Sequence, residues 1–289
     1  MIGIITDSAS DTPVELIRNE GIEVVPLKIF LGDKEYKDAV EATEEMCLDY
    51  MKTDFAKTSG TPYPFVREGF ERLIAKGIRE IIAINVSNNI SNGHSVFKVV
   101  AEELKKVYED LKVEIVDTLS ISIGSGLLVC KAAELRAEGY TLEKMANVLR
   151  AYVPQDLDVY YVVPTLKYLK AGGRIGKVSG TIGEVLNLKP IVMVGNDGIY
   201  HTAGKARGIK KTVQKMEEIF LKVTEGREIE QAAIYTSGPT ADTETHVRHL
   251  RELMKSKGIR TILEGKIVPS MLVHVGPGLI GIAFRMKPA

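Results

Sequence analysis

The sequence predicts an α/β fold with an N-terminal three-layer α/β/α domain, a C-terminal two-layer α+β domain, and a ligand cleft between them. Short apolar segments alternate with amphipathic helical segments in the first half, which favours a mostly parallel sheet covered on both faces. After about Pro154 the pattern changes, and Asn196-Asp197-Gly198 indicates a hairpin between two apolar segments. The 289 residues suffice for two domains at roughly 150 residues each. We therefore divide the chain into 1–155 and 156–289.

In the first domain, short apolar runs predict buried strands, and apolar residues at helical spacing predict the helices that follow them. Thr12 is expected to cap the first helix, with Pro13 at the first helical position and Glu15 completing a capping box. The predicted strands are 2–6, 22–30, 80–86 and 113–116. The later predicted helices are 65–75, 96–111, 126–137 and 142–153.

In the second domain, hairpin and helix signals occur together, which is typical of a sheet covered on one side by helices. No repeat or low-complexity tract interrupts it. The predicted strands are 159–163, a hairpin within 192–201, 231–236, 261–267 and 279–284, and the predicted helices are 210–223 and 243–257.

Composition excludes several classes of protein. Lys and Arg number 38 and Asp and Glu also number 38, so the net charge is zero, which disfavours a nucleic-acid binder that relies on bulk positive charge. No apolar run reaches the roughly 18 to 20 residues of a membrane span, and the first residues do not resemble a signal peptide. The two cysteines, Cys47 and Cys130, are expected to be buried thiols. We therefore expect a cytoplasmic protein without a metal site.

Polar loops follow the predicted strands of the first domain, where ligands of open parallel sheets bind. The loops are 6–11, 87–94 and 117–120, joined by 57–61 ahead of a helix, and all are rich in hydroxyl groups. Hydroxyls and backbone N–H groups there can hold a carboxylate or a phosphate. The alternative is that these residues are ordinary helix caps and turn formers.

A glycine-rich turn in the second domain carries Arg174, which could pair with an anion in bidentate fashion or simply lie on the surface. The turn is neither a Walker loop nor a dinucleotide-binding fingerprint. His201 and the basic residues of 205–211 form a second possible anion patch, although a solvated helix start explains them better.

The histidines do not specify a reaction. His246 and His249 lie one helical turn apart, but no third metal ligand is close in sequence. His94 follows a glycine and is expected near a helix start. His274 lies among apolar residues and glycines, where it is either a core histidine or a ligand contact. No Ser-His-Asp arrangement can be recognised from spacing.

Seven short motifs occur in the order found in DegV-family proteins, which the chain resembles from about Ile2 to Phe284. Each motif is weak alone, and together they are specific. They are Thr6-Asp7-Ser8, Thr58-Ser59, Ile90-Ser91, Asp117-Thr118, Gly172-Gly173-Arg174-Ile175, Lys189-Pro190-Ile191 and Lys205-Ala206-Arg207.

The resemblance implies two α/β domains that enclose one long-chain fatty acid, with no cofactor and no catalytic centre. Such bacterial proteins act with a separate fatty acid kinase, which converts the bound acid to an acyl phosphate for phospholipid synthesis. By this resemblance residues 1–155 bind the lipid head group and residues 156–289 close over the ligand. At most transient contact with a membrane surface is expected, and no nucleic acid.

The resemblance also assigns roles to individual residues. It implies that Thr58 and Ser91 hydrogen-bond the carboxylate and that Ser59, beside Thr58, also binds the ligand. Arg174 and His274 match the family's basic residues at the head group or its mouth, and Arg174 and Arg207 are expected to face the phosphate or the partner.

The chain departs from the family beside this proposed head-group site. Gly60-Thr61 replaces Gln-Pro, and Asn92-Gly93-His94 replaces Gly-Thr-Tyr. These departures bear on the identity of the ligand more than on the fold. The competing hypothesis is an enzyme acting on a small anionic or phosphorylated substrate, with His94 or His274 as general base. A weaker one is a regulatory module whose bound lipid is a signal.

Overall fold

The computed structural model describes residues 1–181, 187–238, 240 and 242–288, without the side chains of 179–181. Within these residues the strands are β1 (Ile2–Asp7), β2 (Glu23–Val25), β3 (Lys28–Leu31), β4 (Lys34–Lys37), β5 (Lys57–Ser59), β6 (Glu80–Asn85), β7 (Lys112–Asp117), β8 (Leu157–Val162), β9 (Leu188–Val194), β10 (Tyr200–Arg207), β11 (Ile229–Thr236), β12 (Ile262–Lys266) and β13 (Ile280–Met286). The helices are α1 (Val14–Glu20), α2 (Glu44–Tyr50), α3 (Tyr63–Ala75), α4 (Gly93–Val107), α5 (Ile123–Ala137), α6 (Leu142–Ala151), α7 (Lys167–Ala171), α8 (Ile209–Val223), α9 (Thr243–Ser256) and α10 (Pro269–Val275).

The first half is built on a parallel sheet with strand order β2-β1-β6-β7. Helices α3 and α4 cover one face, where Phe70 and Phe97 pack edge to face in the buried core. Helices α5 and α6 cover the other face. The predicted three-layer arrangement is confirmed. Its parallel strands all end at the edge where the polar loops begin.

The second half is built on a mixed sheet with strand order β10-β9-β8-β13-β11-β12, in which only β11 and β12 pair in parallel. Helices α8 and α9 cover one face. The opposite face packs against α5 of the first half, so helices cover both faces of this sheet. Helix α5 is buried along most of its length because it lies between the two sheets.

The predicted strand 22–30 is wrong as a single element. Val25 ends β2 in the parallel sheet, and β3 begins after Pro26 in a separate antiparallel sheet of order β4-β3-β5. Proline has no N–H to donate to a continuous ladder, which explains the break. This small sheet matters because β5 carries Thr58 and Ser59.

The expected cap of α1 is also wrong. Pro13 occupies the N-cap position, and the Thr12 hydroxyl instead hydrogen-bonds Ser10 Oγ at 2.8 Å. Both cysteines are buried thiols as predicted, and burial raises the pKa of Cys47 to about 11. Among the described residues, none of the helices combines the length and the apolar composition that a membrane span requires.

Candidate functional site

A narrow cavity lies where the carboxyl edge of the parallel sheet meets α10 and the start of β10. About 440 Å³ of space not filled by atoms lies between its walls when the solvent at its open side is counted, and the part wide enough for the centre of a water molecule is about 30 Å³. Its apolar lining residues are Ala9, Leu27, Val86, Ile90, Ile121, Tyr200 and Met271, and its polar ones are Thr58, Ser59, Ser91, Arg174, Ser270 and His274. The polar groups come from both halves of the chain. Its mostly apolar lining with a few convergent polar groups matches the chemistry of an apolar molecule with one polar end.

Five of the residues singled out in the sequence meet at this cavity. β5 supplies Thr58 and Ser59, the loop before α4 supplies Ser91, the turn after α7 supplies Arg174, and α10 supplies His274. Helix α10 was not predicted from the sequence, although Pro269 at its start is a helix-initiating signal.

Arg207 does not join this group. It is exposed at the end of β10, seven residues along the strand from Tyr200, which is roughly 23 Å at the usual rise of a strand. Arg207 therefore lies away from the cavity. His201 of that patch instead contacts Asp197 at 2.8 Å.

His274 and Thr58 join the two halves across the cavity. Thr58 Oγ1 and His274 Nε2 are 2.6 Å apart, with the direction of donation set by the imidazole tautomer. Burial lowers the pKa of His274 to about 4, and the charge of Arg174 adds to the shift. His274 is therefore neutral near pH 7. His274 Nδ1 is buried without a hydrogen-bond partner among the described residues.

A glycine positions this imidazole. A Cβ on Gly172 would lie 2.2 Å from His274 Nδ1 and 2.8 Å from Cε1, so only glycine permits the approach. Arg174 donates from Nη1 to the carbonyl of Gly172 at 2.7 Å. No acidic side chain among the described residues forms an ion pair with Arg174, which leaves its charge available at the cavity.

The polar loops of the first half converge as predicted, but many of their hydroxyls are already satisfied. Thr6 Oγ1 donates to the carbonyl of Ile84 at 2.7 Å, and Thr118 Oγ1 lies 2.8 Å from Ser125 Oγ. These hydroxyls are therefore bonded within the fold rather than directed at a ligand. Ser91 and Thr58 differ because they line the cavity.

Three buried aspartates lie behind these loops, and no role was predicted for any of them, although Asp7 belongs to a family motif. Asp38 accepts hydrogen bonds from Ser8 Oγ at 2.6 Å and from the backbone N–H of Ser270 at 2.9 Å. Asp11 accepts from Ser122 Oγ and from the backbone N–H of Val268. Burial raises the pKa of Asp11 to about 8 and that of Asp7 to about 6. Asp11 and Asp38 thus connect the first half to α10.

The remaining histidines do not build a metal centre. His94 is half-buried and does not line the cavity, and burial lowers its pKa. His249 Nε2 lies 3.3 Å from Glu217 Oε2 on the outer face of the second sheet. In the part of the chain that the structure describes, no three acidic, histidine or cysteine side chains are grouped so as to hold a metal ion.

The two departures from the DegV pattern meet in space. Gly60 lines the cavity, and a Cβ there would lie 1.8 Å from Asn92 Oδ1. Asn92 is the N-cap residue of α4, but its side chain does not cap the helix, and Asn88 Oδ1 accepts from the backbone N–H of Ser95. The side chain of Asn92 therefore covers Gly60 at the edge of the cavity.

Comparison with known proteins agrees with this architecture. The model of the family described as "Uncharacterised protein, DegV family" matches residues 1–287. A DegV domain-containing protein of Clostridium acetobutylicum is 33% identical, with 99% of both chains covered. A fatty-acid-binding DegV family protein of Thermus thermophilus superposes with a TM-score of 0.87 at 30% identity, covering 99% of both chains.

A stearic acid-binding protein of Eubacterium ventriosum shares the fold with a TM-score of 0.88 at 22% identity, covering 99% of this chain and 98% of its own. The family model spans nearly the whole length, and a relative above 30% identity aligns over almost all of both chains. The chain belongs to the DegV family.

Proposed function

We propose that this protein binds one long-chain fatty acid, with the carboxylate at Thr58, Ser59, Ser91, Arg174 and His274 and the acyl tail in the apolar part of the cavity. We further propose that it presents the acid to a separate fatty acid kinase in the cytoplasm, without a catalytic centre of its own. In this proposal residues 1–155 supply the hydroxyl donors and residues 156–289 close over the ligand.

The observation that carries the proposal is the pairing of Thr58 with His274 at the polar end of an otherwise apolar slot. Neutral hydroxyl and imidazole donors can hold a carboxylate without a full counter-ion. The DegV protein of Thermus thermophilus, which binds fatty acid, supports the same ligand class.

The tail supplies most of the binding free energy. Each buried methylene is worth about 0.8 kcal/mol, so an acyl chain of about sixteen carbons gains on the order of 10 kcal/mol before ordering costs. The ligand must therefore also stabilise the fold, since it binds the native state and not the unfolded chain.

Arg174 is the residue proposed to meet the phosphoryl group. Its guanidinium is half-buried and makes no ion pair among the described residues. A second, transient negative charge at the carboxylate would find a bidentate partner there. Arg207, far along β10, is proposed to contact the kinase rather than the lipid.

An enzyme acting on a small anion remains the competing function, and it has less support. His94 does not line the cavity. His274, with a pKa of about 4, is a weak base at neutral pH.

Binding is tested by native mass spectrometry of protein purified without added ligand, followed by delipidation and thermal melts. We expect a retained acyl chain of about 250 to 300 Da, a marked fall in melting temperature on delipidation, and recovery on adding a long-chain acid. An unchanged melt with acids of about ten to eighteen carbons would contradict fatty-acid binding.

Presentation is tested by mixing the protein with a cognate fatty acid kinase and ATP. Arg174→Ala should reduce acyl phosphate formation by about a hundredfold or more while fatty-acid affinity changes much less. ATP turnover by the isolated, pure protein would contradict the proposal.

A further inference from the structure

Two polypeptide segments at the polar end of the cavity interlock through two glycines. Gly60 follows β5, and Gly93 begins α4. A Cβ built on Gly60 would lie 1.8 Å from Asn92 Oδ1, and a Cβ built on Gly93 would lie 3.1 Å from Thr61 Oγ1. Each segment therefore contributes one glycine and one polar side chain that packs over the glycine of the other segment.

The side chain of Asn92 is what closes position 60 to any residue larger than glycine. The three atoms nearest to the built Cβ of Gly60 all belong to the Asn92 amide, with Oδ1 at 1.8 Å, Cγ at 3.0 Å and Nδ2 at 3.5 Å. Gly60 is not in a positive-φ conformation, so its backbone is open to other residues. The glycine is required here by the amide of Asn92 and not by the backbone.

Helix α4 does not use this amide. Asn92 is the N-cap residue of α4, but its side chain makes no capping hydrogen bond. Asn88 Oδ1 takes that role, since it accepts from the backbone N–H of Ser95 at 3.2 Å and from the Ser95 hydroxyl at 2.8 Å. Within the described part of the chain the Asn92 side chain makes no other hydrogen bond. Its packing over Gly60 is therefore independent of helix capping.

This contact lies directly beside the hydroxyls of the first half. Ser59 comes immediately before Gly60 in the chain. Ser91 comes immediately before Asn92, and both serines line the cavity. Ser59 Oγ also donates to the carbonyl of Gly60 at 3.0 Å. The contact between Asn92 and Gly60 thus sets the distance between the two segments at the place where their hydroxyls face the cavity.

We propose that Asn92 is a positioning residue of the head-group site. By packing over Gly60, it holds Ser91 at the spacing from Thr58 and Ser59 at which these hydroxyls reach one carboxylate. The inference rests on the proposed function, because it requires a carboxylate at these hydroxyls. Asn92 and Gly60 are both departures from the DegV pattern, which has an amide side chain at position 60 and glycine at position 92. The chain therefore keeps one amide at this place but carries it on the other segment.

The first test compares Asn92→Ala, Gly60→Ala and the double variant by calorimetry of palmitate binding to delipidated protein. Asn92→Ala removes the amide, and Gly60→Ala places a methyl group where Asn92 Oδ1 lies, so the exposed amide must turn away. Each single variant should bind palmitate about tenfold more weakly, as for the loss of one well-placed hydrogen bond. The double variant should bind no more weakly than either, because both changes remove the same contact. Additive losses or unchanged affinities would overturn the inference.

The second test moves the amide to the other segment with Gly60→Gln/Asn92→Ala. The amide carbon of glutamine is two bonds from its Cβ, and Asn92 Cγ now lies 3.0 Å from that Cβ position. The relocated amide should restore palmitate affinity to within about threefold of the parent, whereas Gly60→Gln alone should remain about tenfold weaker. A relocated variant that binds no better than Asn92→Ala would contradict the proposed role of the amide.

Two controls separate positioning from damage to the fold or to the tail site. Gly204→Ala on β10 is the matched glycine substitution, because an added Cβ there meets no atom closer than 3.4 Å. All variants should keep the melting temperature of the delipidated parent within a few degrees, since Asn88 still caps α4. The loss of affinity should be equal for myristate and palmitate. A loss that depends on chain length would show that Asn92 acts on the tail and would contradict the inference.

The outcomes separate this inference from the proposed function. If the parent binds palmitate and both Asn92→Ala and Gly60→Ala bind it as tightly as Gly204→Ala, the inference is wrong while fatty-acid binding stands. If the delipidated parent binds no palmitate, the proposed function and the inference fall together.

Discussion

The two sides of the cavity handle charge in opposite ways. The first wall, formed by Thr58, Ser59 and Ser91, consists of neutral hydroxyls backed by buried aspartates whose pKa values are raised. The second wall, formed by Arg174, Tyr200 and His274, carries a permanent positive charge beside an imidazole whose pKa is lowered.

This difference suggests a division of labour. Hydroxyls fix the direction of hydrogen bonds but supply no net charge, whereas the guanidinium supplies charge at the half-buried edge of the cavity. A monoanion can be held mainly by the first wall. An additional negative charge on the ligand requires the positive charge of the second wall. The predictions below test this comparison.

The largest expected effect concerns the acids behind the first wall. With a pKa of about 8 in the fold and near 3.9 when unfolded, Asp11 stabilises the protein at low pH, and this contribution is lost as pH rises toward 8. The loss amounts to about 5 kcal/mol if the whole shift is realised. Asp11→Asn should therefore raise the free energy of unfolding at pH 8 and do little at pH 4.

Urea unfolding of the two proteins across this pH range is the measurement. His274 acts in the opposite sense, since its lowered pKa costs stability as pH falls from 6.5 toward 4. It is present in both proteins, so the difference between their curves isolates Asp11. Parallel curves at all pH values would show that burial does not raise the pKa of Asp11.

A change in the second wall gives the next largest effect. Gly172→Ala places a methyl group 2.2 Å from His274 Nδ1, so the imidazole must move and its bond with Thr58 is lost. We expect fatty-acid affinity to fall by about a hundredfold, as for other losses of a buried polar pair. The measurement is a fluorescent fatty-acid titration, with Gly204→Ala as the control. Wild-type affinity would mean that His274 does not position the carboxylate.

Loss of a single hydroxyl from the first wall is expected to have a smaller effect. Thr58→Val and Ser91→Ala each leave a carboxylate oxygen without one donor, which costs about 1 to 3 kcal/mol, or roughly five- to hundredfold in affinity. Thr58→Ser, which keeps the hydroxyl, should retain most of the fatty-acid affinity. Each variant must retain a cooperative melt. If both hydroxyl variants bind as tightly as the parent, the carboxylate lies elsewhere.

The smallest effect on the ligand is expected for Arg207, which belongs to neither wall. Arg207→Ala should leave the amount of bound lipid unchanged and slow only the kinase-dependent reaction, because the residue is exposed at the far end of β10. Lipid content by mass spectrometry and turnover in the coupled assay measure the two quantities separately. Loss of lipid would show that the basic patch affects the cavity.

Short-range sequence patterns located many of the local elements, and the order of seven motifs identified the family. The strands β1, β6 and β7 are rich in apolar β-branched residues, and α3, α4 and α8 carry apolar residues at helical spacing, so short-range pattern was sufficient to locate them. The glycine-rich turn at Arg174 and the Thr58-Ser59 and Ser91 motifs were also visible, since they are defined by residue order.

Which of these residues meet depends on the packing of distant parts of the chain. Thr58 and His274 are 216 positions apart, and their contact depends on β5 pairing with β3 in the separate antiparallel sheet and on Gly172 leaving room for the imidazole. The burial of Asp7 and Asp11 was hidden for a similar reason. A carboxylate in a polar loop has the same sequence signature whether it is solvated or buried, and only the packing of the folded chain around it removes it from water.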